Sequence, residues 1–344
     1  MSLWRVFPYQ PHLRASIWVA GVFTNMDQIG PPYDKHRLAY SYDGITWYQN
    51  MIAEYEALGI CYNGKKFVAV GADPNPPYYH GAAYSIDGIN WTMVDERNTR
   101  NCVVWTGTRF ISAGMGEYGH WERTVSDSPD GVTWRVQSVS KVENPAAIAS
   151  NMNTVVIGGN NYGYGFNDSL MYSIDGGIHW TGLGATIFTQ WCYGLATNGA
   201  IWVGGGQGTN TLAYSYDGIT WHGLGNSVFS EWAWAICWNG TMFVAVGEGS
   251  VAGSNMIAYS YDGINWTGLG DPLGFKRHAQ HSGQTIVWDG EKFVIGGTDF
   301  AFPHDADNTL GYSADGLSWV GSGLQFPHWC SMAANNEPRL VPPV

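Results

Sequence analysis

Apolar residues along this chain come in short runs closed by glycine or by a polar pair, and no stretch keeps a 3.6-residue period for three turns. One pattern recurs. Ile60-Cys61-Tyr62-Asn63-Gly64-Lys65-Lys66-Phe67-Val68-Ala69-Val70-Gly71 is an apolar run, an Asn-Gly turn, and a β-branched and aromatic run ending in Gly. Related stretches follow at Val104 to Gly114, Leu195 to Gly206, Ile236 to Gly247 and Val287 to Gly297, and more loosely at Ile148 to Gly159. Two strands joined by a tight I′-type turn are the simplest reading. A second pattern alternates with the first and begins as Leu38-Ala39-Tyr40-Ser41-Tyr42-Asp43-Gly44-Ile45-Thr46-Trp47. It supplies the next hairpin, so each unit holds four short strands, A to D.

The second pattern recurs around Asp43, Asp87, Asp130, Asp175, Asp217, Asp262 and Asp315, at steps of 42 to 53 residues. Seven units of about 45 residues, each of four antiparallel strands, predict an all-β, seven-bladed β-propeller. One sheet cannot bury both its faces, so the blades stack around an axis. The Trp after each Asp (Trp47, Trp91, Trp134, Trp180, Trp221, Trp266, Trp319) is expected to pack blade against blade. Ile17 to Gly21 matches strand B, and Trp329 to Asn336 matches strand A. The ring is therefore expected to close by C-terminal strand pairing with the N-terminal blade. That makes residues 1–344 a single domain whose first blade is built from about 16–50 plus 327–344.

The repeats carry a resemblance. Ser173-Ile174-Asp175-Gly176-Gly177-Ile178-His179-Trp180 resembles the Asp-box, or BNR, repeat of sialidase-like propellers, and the other six copies lack one residue between Asp and Gly. In that family the box is a structural turn remote from the catalytic face, which the resemblance implies for the seven Asp residues here. The chemistry agrees, because Asp-Gly favours a hairpin and Ser and Asp oxygens satisfy turn N–H groups. The regular Tyr-Ser-x-Asp-Gly-x-x-Trp units are also similar to those of giant-virus and phage proteins. That similarity implies a virion, tail or host-surface assembly.

Composition narrows the function. The net charge of −12 argues against a grip on nucleic-acid phosphates, and no apolar run is long enough for membrane insertion. The opening residues do not form a signal peptide. The five cysteines (Cys61, Cys102, Cys192, Cys237, Cys330) have no Cys-x-x-Cys spacing and read as reduced thiols. Cytoplasm or virion is the expected location. No phosphate-loop context surrounds the Gly-rich 204–208 stretch, and no cofactor is expected.

Binding residues are sought on the face that carries the B–C and D–A loops. Those loops are aromatic and irregular between copies: Tyr78, Tyr79 and His80 in one, Tyr118, His120 and Trp121 in the next. Trp121 has no equivalent in other units and is the leading ligand contact. Trp191, Trp232 and Trp329 each lie seven residues before the turn Asn, where strand A begins near the channel mouth. Such aromatics suit stacking on a glycan or anchoring a protein partner, or they serve packing alone. His278, His281 and His304, with Asp305 and Asp307, form a weak metal candidate. A glycoside hydrolase needs two carboxylates about 5–10 Å apart. The loop face offers too many to choose between, and the Arg-Ile-Pro segment of sialidases is absent. The lead expectation is non-catalytic recognition of a glycan or protein. The alternatives are a glycoside hydrolase and an assembly scaffold similar to the photosystem assembly propellers.

Overall fold

The structure, a computed structural model, describes residues 17–22, 38–49, 55–72, 81–117, 123–161, 167–249, 254–273, 283–297, 310–323 and 330–334. These residues form seven four-stranded antiparallel sheets, two of them joined through the single pairing Gln207↔Trp232, and a two-stranded ribbon of Asn98–Thr99 with Gly116–Glu117. The fifth blade shows the plan: Trp191–Thr197 innermost, then Trp202–Gln207, Leu212–Ser215 and Trp221–Gly223. The innermost strands of the other blades are Glu56–Tyr62, Cys102–Trp105, Pro145–Asn151, Trp232–Trp238, Gly283–Trp288 and Cys330–Ala334. Each packs against the next, and the last returns to the first, so they enclose an axis. Cys330–Ala334 adds to Trp18–Val22 in the register Trp18↔Ala334 to Val22↔Cys330, which closes the ring. The chain is a β-propeller. Among the described residues no helix is long and apolar enough to cross a membrane.

The core lies between blades. Seven apolar clusters each join one blade to its neighbour: Val244, Val246 and Ile257 meet Ile286, Phe293 and Trp319 between blades 6 and 7, for example. At the closure, Trp18 and Ala20 of blade 1 meet Val294 and Leu310 of blade 7. Second strands such as Phe67–Ala72 are buried on both faces, which is why they read as unbroken apolar runs. The motif Trp sits at these junctions, with Trp221 against Phe188, Val156 and Trp202 between blades 4 and 5. In six copies its Nε1 donates to the carbonyl of the Gly three residues earlier, at 2.9–3.3 Å. Trp134 is the exception: its Nε1 is buried without a partner, and the Arg100 guanidinium lies 4.6 Å over its ring.

Each Ser-x-Asp turn is a small hydrogen-bond circuit. Gly44 N donates to Ser41 Oγ at 2.8 Å, and Ile45 N and Thr46 N donate to Asp43 Oδ1 at 2.8 and 2.6 Å. The turn Gly has φ near +70°, a conformation that penalises any Cβ. The hairpin between strands A and B differs from the expected I′ geometry. Asn63 N donates to Lys66 O, and only Gly64 of the two loop residues has positive φ, as in a II′ turn. Type I′ needs left-handed φ at both positions. Here Asn63 instead stands before the loop, where its Oδ1 accepts from Lys65 N and Lys66 N.

Candidate ligand-binding channel

The inner strands enclose a cavity of about 720 Å³ lined by residues from all seven blades, a size typical of small-ligand sites. The seven blades do not contribute alike. Counting five residues before the A–B turn residue, the lining side chains are Leu58, Asn101, Ala146, Tyr193, Trp234 and Ser331. In four of these strands that residue is the extra one of a β-bulge, at Ala57/Gly59, Pro145/Ala147, Cys192/Gly194 and Ala233/Ala235. Bulges re-aim a side chain out of the strict alternation.

Blades 5 and 6 thus turn two large rings to the axis. Trp191 stacks on Tyr193 at 5.0 Å with planes 7° apart, Tyr193 meets Trp234 at 4.4 Å, and Trp234 stacks on Trp232 at 5.8 Å. This aromatic arc spans two blades and is only half-buried. Across the ring stand Leu58, Asn101 and Ser331. Deeper in, the inner strands approach closely: a Cβ on Gly194 would lie 3.0 Å from Ala235 Cα. The lining at that level and beyond is small or aliphatic, with Ile60, Ile148, Leu195 and Ile236.

The loops that deliver the two tryptophans are tightly held. Phe188 and Phe229, each three residues before its Trp, are fully buried beneath their blades. Gly206 and Gly247 are the next-to-last residues of the neighbouring strands, and a Cβ on them would lie 2.2 and 2.4 Å from the carbonyl oxygens of Trp191 and Trp232. The Asn210 side chain donates to Ile187 O and accepts from Gly225 N, both at 2.8 Å. Asn255 makes the same clamp on Val228 O and Gly270 N. These bonds join B–C to D–A loops, so the two loop types share one face. The A–B and C–D turns meet on the other, where Lys66 Nζ donates to Asp130 O at 3.0 Å.

Of the residues singled out in the sequence, Trp191 lines the channel and Trp232 adjoins it through Trp234. Tyr78, Tyr79, His80, Tyr118, His120, Trp121 and Trp329 lie outside the described residues, as do His278, His281 and His304. Among the described residues no group of three His, Cys, Asp or Glu side chains is placed to hold a metal ion. Tyr193 and Trp234 are site residues that the sequence reading passed over. Their signal was a ring two residues beyond Trp191 and Trp232, at a position where other units carry small, aliphatic or polar residues.

None of the channel's described lining residues is charged. The thiol of the lining residue Cys102 donates to Ala113 O within the core, and burial pushes it up to about 12, so this sulfur stays protonated at neutral pH. The Asp-box carboxylates belong to their turns. Burial works to raise the pKa of Asp87, but hydrogen bonds from Asn90, Ile89 and Ser85 together outweigh it and hold the group at about 2. Asp168, on the loop face, accepts from Gly184 N at 2.5 Å.

No protein-family model and no curated protein matches the chain. Solved structures match it by shape. A GH74 xyloglucanase from Xanthomonas campestris aligns with a TM-score of 0.54 and 12 % identity over 77 % of this chain and 45 % of its own, so the chain spans less than half of that enzyme. YCF48 bound to D1 peptide aligns at 0.51 and 15 % identity, over 79 % and 82 % of the two chains. A structure of the nidogen/laminin complex aligns at 0.50 and 10 % identity, over 73 % and 91 %. At these identities the likeness is one of fold, and the fold is the β-propeller.

Proposed function

We propose that this protein is a non-catalytic recognition propeller that binds a glycan or a protein partner at the channel mouth and the loops around it. The observation that carries the reading is the half-buried arc Trp191–Tyr193–Trp234–Trp232 on an uncharged channel. Aromatic faces held rigid by buried anchors lose little entropy on binding and suit such contacts. Trp121 and the Tyr78–His80 loop extend the same face in this reading. Six of the seven Ser-x-Asp turns are Asp-box repeats in a shortened form, the Ser173–Trp180 copy has the full length, and the 344 residues form one domain. Their similarity to giant-virus and phage repeats supports a role in a virion, tail or host-surface assembly. YCF48 with its peptide and the nidogen/laminin complex support a protein partner, while the xyloglucanase keeps a glycoside hydrolase as the second reading. A glycan-array screen of the intact chain, with a reducing-sugar release assay on every hit, tests this. Binding without release supports recognition. Release of reducing ends replaces it with the hydrolase.

A further inference from the structure

We propose that the turn face of the ring, over blades 4 to 7, docks a basic segment of a protein partner through exposed tyrosines and the carboxylates beside them. This surface lies opposite the loop face and does not depend on what binds there.

Among the described residues thirteen large apolar or aromatic side chains stand exposed, and nine of them lie in A–B or C–D turns, which share this face. Apolar residues scattered over a surface are ordinary, but their concentration on one face marks an interaction surface. The most regular of them hold the middle position of Ser-x-Asp: Tyr42, Ile86, Ile174, Tyr216 and Tyr261, at 51–75 % exposure. The turn does not require them. Pro129 and Ala314 take the same place in turns with the same Ser and Asp hydrogen bonds. Tyr216 and Tyr261 meet the Tyr two residues earlier at 5.6 and 5.7 Å, with ring planes 79° and 80° apart. Each ring is thus held by a neighbour yet stays 65 % and 59 % exposed.

The turns of neighbouring blades touch, so the surface is continuous. Asn151 in the A–B turn of blade 4 donates to Gly199 O in that of blade 5 at 2.8 Å. The C–D turn glycines Gly218, Gly263 and Gly316 lie so close to the preceding blade that an added Cβ would stand 2.4–3.1 Å from its side chains.

Charge selects the occupant. The C–D turns of this arc carry Asp175, Asp217, Asp262 and Asp315, and neither they nor the A–B turns of blades 4, 5 and 6 contain a lysine or arginine. Burial opposes ionisation at the first three, but hydrogen bonds within each turn outweigh it. At Asp315 the amides of Ser318 and Leu317 dominate. All four carboxyls therefore lie below their ordinary pKa and are charged at neutral pH. Beyond the arc the A–B turns of blades 7 and 2 carry Lys292, Lys65 and Lys66, and Lys66 Nζ already donates to Asp130 O. A second copy of this chain, itself at −12, would be repelled, as would a phosphate-bearing polymer. A lysine ammonium answers the carboxylates alone. An arginine guanidinium is planar and answers both groups, pairing with a carboxylate and stacking on a phenol ring. Because the Tyr-Asp pair repeats from blade 5 to blade 6, a segment presenting several arginines gains from each.

The test follows fluorescein-labelled octa-arginine, octalysine and octaglutamate by anisotropy on the intact chain at physiological ionic strength. Octa-arginine should bind saturably and about fivefold or more tighter than octalysine, as two exposed cation–π contacts allow. Octaglutamate should not bind. Tyr216→Ala with Tyr261→Ala leaves the net charge unchanged and introduces the residue that Ala314 already places in this turn. That pair should remove the preference for octa-arginine, whereas Ile86→Ala in blade 2 should leave it intact. If the alanine pair lowers the unfolding midpoint, Tyr216→Ile with Tyr261→Ile replaces it, since Ile86 and Ile174 hold the same place. Absence of octa-arginine binding overturns the proposal. So does equal affinity for octalysine, a preference that the tyrosine variants do not move, or an equal loss in Ile86→Ala, each of which reduces the attraction to the net charge of the chain.

Discussion

Replacing Trp221 with alanine probes the physics that holds the ring together. The indole is 8 % exposed and sits between blades 4 and 5 against Phe188, Val156 and Trp202. Its Nε1 donates to Gly218 O at 3.1 Å. An indole removes about 150–250 Å² from water, which at roughly 25 cal/mol per Å² corresponds to about 4–6 kcal/mol. The alanine retains a little of this, and partial collapse around the gap recovers more. Measured Trp-to-Ala losses of about 3–5 kcal/mol are the right expectation. Partial collapse is limited because Gly204 already lies against the same rings, with an added Cβ only 3.1 Å from Trp221. The assay is urea unfolding followed by far-ultraviolet circular dichroism, comparing midpoint and m for the two chains. Because every blade packs on two neighbours around a closed ring, the variant should unfold in one transition at a lower midpoint. A loss below about 1 kcal/mol with unchanged m, or two separate transitions, would refute the account of Trp221 as a wedge in a cooperative ring.

Further outcomes follow from other parts of the molecule. The folded-state pKa of each Asp-box carboxylate lies below its ordinary value, at about 2 for Asp87, Asp262 and Asp315. For Asp315 the amides of Ser318 and Leu317 are the main cause. The stabilisation is therefore complete above the unfolded value near ~4 and is lost as pH falls toward about 2. Asp262→Asn, which cannot titrate, should flatten the pH dependence of the unfolding midpoint in that window. Met152 is the one non-glycine among the described residues with positive φ, at 54°, and its side chain is exposed. Met152→Gly should raise stability by up to ~1 kcal/mol, read as a shift in the urea midpoint. Asn255→Ala removes the clamp on Val228 O and Gly270 N and should cost ~1–3 kcal/mol in the same assay. If that variant is as stable as the unaltered chain, the loop is held by Phe229 alone.

The repeat made most of the architecture legible before any coordinate. Asp-Gly and Asn-Gly turns, glycine-terminated apolar strands and a Trp at fixed spacing are local signals, and local chemistry alone dictates hairpins of this kind. Strand closure was legible too, because Trp18 and Cys330 carry the patterns of a second and a first strand. The turn type was not, since Asn63 and Gly64 suit I′ and II′ alike and only the register of the flanking strands chooses between them. The candidate site was legible in part. Trp191 and Trp232 stood out by recurrence, but Tyr193 and Trp234 did not. Their inward aim depends on a bulge, a feature of pairing between strands that one strand's alternation does not record. Above all, the ring sets blades 5 and 6 across from blades 1 to 3. Asn101 and Trp234 are far apart in sequence and face one channel only because seven sheets close around one axis.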